Sequence, residues 1–195
     1  MTSTNVIKRI LKDTYSILIH DEDLLRLVYY PPVDYINVTK HALDRDLPNI
    51  QDYWEIDGVL ETDDERDVRV WGIRNHHIID IRKSDDTVDG SICRLYIYAG
   101  KSRPTFHNKT TTRQEIVVDI FCHSRYEEDY RMEDIRDRVN KLLIGREGIG
   151  LGKIDSYSEY DFVAPKEYTA YRHVYEVLRS KSWVKLKRKL KLIQT

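Results

Sequence analysis

The sequence has little of what marks the more specialised protein classes. Two cysteines in 195 residues, Cys93 and Cys122, are too few for a disulfide scaffold. No stretch approaches the ~18 consecutive apolar residues that a membrane helix needs. The first residues, MTSTNVIKRILKD, meet charges too early for a secretory leader. The expectation is therefore a soluble protein made in a reducing cytoplasm, with both thiols free and no membrane contact. Phenylalanine and tryptophan are scarce, three each, against 14 tyrosines. Tyrosine joins an apolar body to a polar tip, which suits half-buried strand positions and interfaces equally. Repeats and low-complexity tracts are absent. With 41% hydrophobic and 33% charged residues, the chain reads as one globular domain with room for a core.

Acid is missing from the C-terminal end. From Arg179 onward the chain carries Arg179, Lys181, Lys185, Lys187, Arg188, Lys189 and Lys191 with no carboxylate side chain. Taking those seven cations from a total of -1 leaves residues 1–178 at -8. An acidic body of this kind is poorly suited to wrapping nucleic acid. The chain divides into a domain over 1–178 and a basic arm over 179–195.

Val6, Ile10 and Leu11 predict a helix over residues 4–12, and a second runs from Asp21, its cap, to Tyr29, where YYPP stops it. Residues 33–52 read as an irregular connection. YWEIDGVL and DVRVWGI read as strands around the acidic turn ETDDERD, with HHIIDIR as a further short strand. SICRLYIY and EIVVDIFCHS alternate as an antiparallel pair joined by a polar loop from Ala99 to about Gln114. Cys93 and Cys122 then share the apolar face as small buried hydrophobes. SRYE fits a capping box with Ser124 as N-cap, opening a helix that places Met132, Ile135, Val139, Leu142 and Leu143 at helical intervals. On its exposed side Glu127/Arg131, Asp134/Arg138 and Asp137/Lys141 stand four apart, and Gly145 stops it. Strands over 153–163 and 168–178 follow.

Sites that look chemical fail on geometry. Neighbouring strand residues point to opposite faces, so Cys122 and His123 are not a nucleophile–base pair. His123 shares a face with Asp119 and Phe121, where an Asp–His pair would lack a nucleophile. His76 and His77 diverge, and no metal-binding spacing occurs anywhere. GREGIGLGK has Glu147 and Ile154 where a phosphate loop needs glycine and Ser/Thr, and it follows a helix instead of a strand. A metal-dependent nuclease built on Asp80, Arg82 and Lys83, with another carboxylate from the acidic turn ETDDERD, is the enzyme alternative.

The order LLRLVYYPP, DLPNI, IVVDIFCHS, EEDYRMEDIRDRVNKLL, GIGLGKI and YTAYRHVYEV resembles the tail terminator (tail completion, or neck) proteins of long-tailed bacteriophages. The resemblance covers about half the chain and is most telling over 115–177. It implies an α/β (α+β) domain with a central, mostly antiparallel sheet flanked by helices. It further implies a ring, usually hexameric, that caps the tail tube and meets the head connector or stopper protein. Genomic DNA would pass through its lumen without sequence-specific binding. Such a protein belongs to the virion, is assembled in the host bacterial cytoplasm, is no enzyme and uses no cofactor. Another neck or head-completion component is the runner-up.

Two basic segments are the candidate partner contacts. The loop 99–114 carries Lys101, Arg103, Lys109 and Arg113 without acid before Gln114. The arm sets Val184, Leu186, Leu190 and Leu192 against Lys185, Lys187, Lys189 and Lys191, with Arg188 breaking the apolar row. Period two argues for a strand that adds to the edge of a neighbouring subunit or another neck protein. Trp183, Leu186, Leu190 and Ile193 would equally make one face of a short helix. A DNA contact and a solvated end are the competing readings.

Overall fold

Among the residues described by the computed structural model, 3–33, 40–81, 92–105 and 111–180, four α-helices pack on one face of a five-stranded sheet. Helix α1, Ser3–Ile19, runs well past the expected 4–12. Val6, Ile10, Thr14 and Leu18, four apart, make its buried stripe. The buried Thr14 hydroxyl donates to the Ile10 carbonyl at 2.9 Å, which explains why the stripe tolerates it. Helix α2, Glu22–Tyr29, is capped as expected: Asp21 accepts from the Leu24 N–H, and Glu22 and Asp23 face the positive end of the dipole. Its polar side chains hold the irregular segment that follows. Arg26 Nε donates to the Ala42 carbonyl at 2.9 Å, and the Glu22 carboxylate accepts from the N–H groups of Ile50 and Gln51.

The expected strand over 67–73 is not one. A hairpin of β1, Glu55–Ile56, and β2, Val59–Leu60, turns through Asp57 and Gly58 at φ of 52° and 80°. Helix α3, Asp63–His77, then takes up the supposed turn and the supposed strand together. Thr62 and Glu65 form a reciprocal capping box, and Asp63, Asp64 and Glu65 fill the first turn. The acidic run is a helix start. Val70, Ile73 and His77 are buried at helical spacing, so the apparent alternation around Trp71 was accidental.

The sheet order is β3-β4-β5-β7-β6, from β3 (Ile78–Ile79), β4 (Cys93–Pro104), β5 (Thr111–His123), β6 (Leu151–Asp161) and β7 (Tyr168–Ser180). Every pairing is antiparallel except β3 with β4. The β4–β5 pair forms as expected, with Cys93 opposite Cys122 and the two sulfurs 2.7 Å apart, both thiols free and buried. The long polar loop expected between them is mostly strand: β4 continues to Pro104 and β5 starts at Thr111.

Ser124 does not cap the next helix. A 3-10 turn, Ser124–Asp129, intervenes, with His123 Nδ1 accepting from the Arg125 N–H, while Glu127 accepts from the Thr169 hydroxyl. Tyr130, at φ 55°, reverses the chain, and α4 occupies Arg131–Leu143. Met132, Ile135, Val139 and Leu143 are buried on it as expected. Asp137 and Lys141 are exposed as expected, but the other charges behave otherwise. Arg131 is wholly buried, and Arg138 pairs with Asp21 at 2.6 Å and with Asp23 at 2.8 Å. Asp134 lies 3.2 Å from His41. Side chains reaching α2 and the irregular segment win over local i, i+4 pairs because partial burial strengthens those contacts. Gly145 at φ 73° then ends α4, and a glycine turn with Gly148 and Gly150 also at positive φ leads into β6.

Candidate interaction surface

Among the described residues, one face of the sheet carries no helix. The main core joins residues from α1, α2, α3 and α4 to Cys93, Leu95, Ile97, Ile116, Val118, Ile120, Tyr175 and Val177. The alternate residues of the same strands point the other way. There Tyr96, Phe121 and Ala170 form a second cluster, covered by Ile79, Phe162, Ala164 and Tyr168. Edge-on rings at 5.5 Å (Tyr96 with Phe121) and 5.4 Å (Phe121 with Phe162) bind it together.

Beside that cluster sits an ion pair that sequence reasoning missed. Asp119, 2% exposed, accepts from Arg172 through Nε at 2.5 Å and Nη2 at 2.7 Å, and from the Tyr98 hydroxyl at 2.8 Å. The guanidinium lies 4.6 Å above the Phe162 ring. Hydrogen bonding to Asp119 raises the pKa of Arg172 further. Asp119 is therefore committed to Arg172, not to the His123 that shares its face. The Nε2 of His123 instead stands 3.5 Å from Glu167. The signal was present as two lone charges in otherwise apolar or aromatic runs, IVVDIF and YTAYRHV.

A groove of ≈ 530 Å³ opens next to this pair, lined among others by Tyr98, Lys101, Arg103, Glu115, Tyr160 and Arg172. Its shape follows from a bulge. The β4–β5 register shifts between Ala99 and Ser102. The buried Gln114 amide bridges the disturbed backbone, donating to the carbonyls of Gly100, Lys101 and Glu115 at 3.1, 3.3 and 3.0 Å. Gly100 passes so close to β5 that an added Cβ would meet Glu115 and Val117 at 2.8 Å. Beyond the bulge the hairpin is basic and anchored. Lys101 N–H donates to Glu115 at 2.8 Å, Arg103 pairs with Glu115 at 3.3 Å and Arg113 with Glu176 at 3.1 Å. Of the expected contact residues, Lys101, Arg103 and Arg113 thus come together on the helix-free face. Lys109, and Trp183, Lys185, Leu186, Lys187, Arg188, Lys189, Leu190, Lys191 and Leu192 of the arm, lie outside the described residues.

The YomW family model matches residues 21–177, from the start of α2 almost to the end of β7. The chain belongs to the YomW family. One relative is the "SPbeta prophage-derived uncharacterized protein YomW" of Bacillus subtilis (strain 168), 31% identical over 104 residues. That alignment takes in 51% of this chain and 62% of the relative, so the chain spans less than two thirds of the relative's length. The match contains the helix-free face, the groove and most of the hairpin, all within the YomW domain.

The remaining candidates of the YomW domain are engaged in packing and hydrogen bonds. His77 Nδ1 donates to the Cys93 carbonyl at 2.8 Å, and burial pushes its pKa down to about 4. Burial lowers His76 as well, assisted by Arg94. His173 is buried against α4, its Nδ1 3.1 Å from the Tyr175 hydroxyl, which donates to Asn140. Glu159, 3.5 Å from its Nε2, is too far for a hydrogen bond, so burial dominates and pushes His173 down to about 4. Part of the tyrosine excess is spent here: Tyr30, Tyr126 and Tyr175 are core residues. Among the described residues no three His, Cys, Asp or Glu side chains converge as a metal would require, and no helix is long and apolar enough to cross a membrane. Asp80 is described, but Arg82 and Lys83 of the nuclease alternative are not.

Proposed function

We propose that this YomW-family protein is a structural component of a phage particle, a ring-forming tail terminator that caps the tail tube and joins it to the head connector. The prophage origin of its relative supports the phage setting. The observation that carries the reading is the helix-free face, where a preformed groove adjoins a basic hairpin held by Gln114, Glu115 and Glu176. A rigid, amphipathic sheet face with aromatic and arginine side chains is suited to a protein partner. Its partners on this reading are further copies of itself, hexameric in number, the tail tube protein and the head-connector or stopper protein. DNA would traverse the ring without sequence-specific contact, and the -8 charge of residues 1–178 suits a wall that does not hold phosphate. The protein would act without catalysis or cofactor, in the virion neck, after assembly in the host cytoplasm. Light scattering and negative-stain imaging of the purified full chain test this. Rings that bind the ends of isolated tail tubes are expected. A monomer at tens of micromolar, or a metal-dependent nuclease activity abolished by Asp80→Ala, would overturn it.

A further inference from the structure

A second surface, away from the groove, is apolar and uncovered. Val59 and Val68 are 69% and 71% exposed and Trp71 is 68% exposed, with Ile56 and Leu60 also open to solvent. They belong to the β1–β2 hairpin and to α3, which the chain places side by side: Glu61 and Arg69 pair at 2.7 Å, and Tyr53 lies under Arg66. A cleft of ≈ 300 Å³ lined by Ile56, Val59, Leu60, Glu61 and Glu65 runs into the patch. Ile56, Val59 and Leu60 open together on this cleft, and apolar side chains so exposed are costly in water unless something covers them. The rim is acidic, with Glu55, Asp57, Glu61, Asp63, Asp64, Glu65 and Asp67 against Arg66 and Arg69. Glu61 and Asp67 are neutralised by Arg69 and Arg66. Glu55, Asp57 and Asp64 have no ion-pair partner among the described residues.

One segment of this chain has the matching chemistry. Residues 181–195 combine Trp183, Val184, Leu186, Leu190, Leu192 and Ile193 with six cations and no acidic side chain. We infer that the C-terminal segment 181–195 of one copy docks on the β1–β2/α3 patch of the next. Its apolar side chains cover Ile56, Val59 and Leu60, and its lysines meet the carboxylates of the rim. The exit point of the segment favours a neighbouring copy over its own. Ser180 pairs with Thr111 at the hairpin end of the sheet, whereas α3 hands over to β3 at the Ile78–Leu95 pair, in register with Ile120 and Tyr171. Nine residues of β7 separate those levels, roughly 30 Å at ~3.4 Å per residue, whereas Trp183 and Val184, three and four residues past Ser180, can reach only ~10–14 Å. Each copy then gives one arm and receives one, a head-to-tail contact that can close a ring. The inference rests on the ring reading only in requiring self-association.

Full-length variants test it. Val59→Asp/Leu60→Asp alters the patch at side chains 69% and 61% exposed, and Leu186→Asp/Leu190→Asp alters the apolar residues of the arm. Thermal melts matching the parent establish folding. The parent should assemble, and each variant alone should run at the monomer mass of 23.2 kDa. An equimolar mixture of the two restores one contact in two and should run at twice that mass. A synthetic peptide of residues 181–195 should bind the arm variant but not the patch variant, and about tenfold more weakly when the salt is raised from 50 to 500 mM. Assembly of either variant alone, a monomeric mixture, or peptide binding that ignores the patch would overturn this inference and leave the ring reading standing. A monomeric parent defeats both.

Discussion

Replacing Arg131 by Met should be among the most damaging single substitutions in the molecule. Arg131 is wholly buried, and its Nη1 donates to the carbonyls of Leu27 at 2.6 Å and Tyr30 at 2.8 Å. Its Nη2 donates to Pro31 at 3.2 Å and to Asp129 at 2.7 Å. These carbonyls belong to the end of α2, whose last C=O groups have no partner within the helix. Met fills much of the volume but strands three acceptors and leaves the buried Asp129 carboxylate without its counterion. Breaking a buried pair from one side costs about 3–5 kcal/mol. Nε of Arg131 is itself buried without a partner, which puts the expected loss at the lower end of that range. For a chain of this length the loss corresponds to a Tm drop of about 6–20 °C. Melting followed by circular dichroism reads it directly, with Arg113→Ala, an exposed pair, as the control. A drop under about 3 °C for Arg131→Met would refute the claim that this guanidinium joins α2 to α4.

Stability should fall with acid. His77 and His173 are held at about 4 in the folded protein by burial, below the ~6.5 of an unfolded chain. The unfolded state therefore binds protons first, so stability declines as pH falls from about 6.5 towards 4 and these two groups add nothing further below that. Urea midpoints at pH 7 and 5 should show the decline, His173→Gln should reduce it, and identical midpoints would contradict it. The cysteines should be inert to a thiol reagent in the native protein and both reactive after unfolding, because burial and the facing Cys122 push Cys93 well up; fast native labelling would contradict the packing. Gly150→Ala should cost about 1–3 kcal/mol, since its φ is +72° and a Cβ would meet the Leu178 carbonyl at 2.6 Å. Gly72→Ala, mid-helix with open space around it, should instead gain about 0.5–1 kcal/mol; opposite signs in urea unfolding would refute both. Arg103→Ala and Arg113→Ala should each change stability by less than about 1 kcal/mol while weakening attachment to tail tubes, and unchanged attachment would remove the hairpin from the proposed contact.

The sheet was legible where one face is apolar and the alternation long, as in β4, β5 and β7. Helices α2 and α4 were legible from spacing and, for α2, from Asp21. Two of the errors share a source. Each placed a polar group by its nearest neighbours in sequence when a distant partner decided its position. Arg131 looked solvent-facing because Glu127 stood four residues away, yet carbonyls a hundred residues upstream claim it. The Asp119 pairing required knowing that β7 lies beside β5. The α3 mistake was of another kind, since the Thr62/Glu65 capping box was readable and was passed over for a short run of alternation. The helix-free face and the apolar patch could not be read at all, because no sequence pattern states which faces of a sheet the helices leave bare.

The reach of Arg131 also bears on how the chain comes to be folded. Leu27 and Arg131 are 104 residues apart, so α2 is finished long before the side chain that satisfies its end exists. At ~5–20 residues per second a ribosome needs about 5–20 s to make the intervening chain. The central strand β5 and its neighbour β7 are likewise made after most of the helices that they support. During that interval α1 and α2 have no sheet to bury their apolar stripes, and short helices alone are marginal in water. A nascent chain cut short anywhere before β7 has neither a sealed core nor a stable surface to offer a partner. Folding is thereby tied to synthesis through β7, and on the proposed ring reading only subunits with a sealed core would be available for assembly.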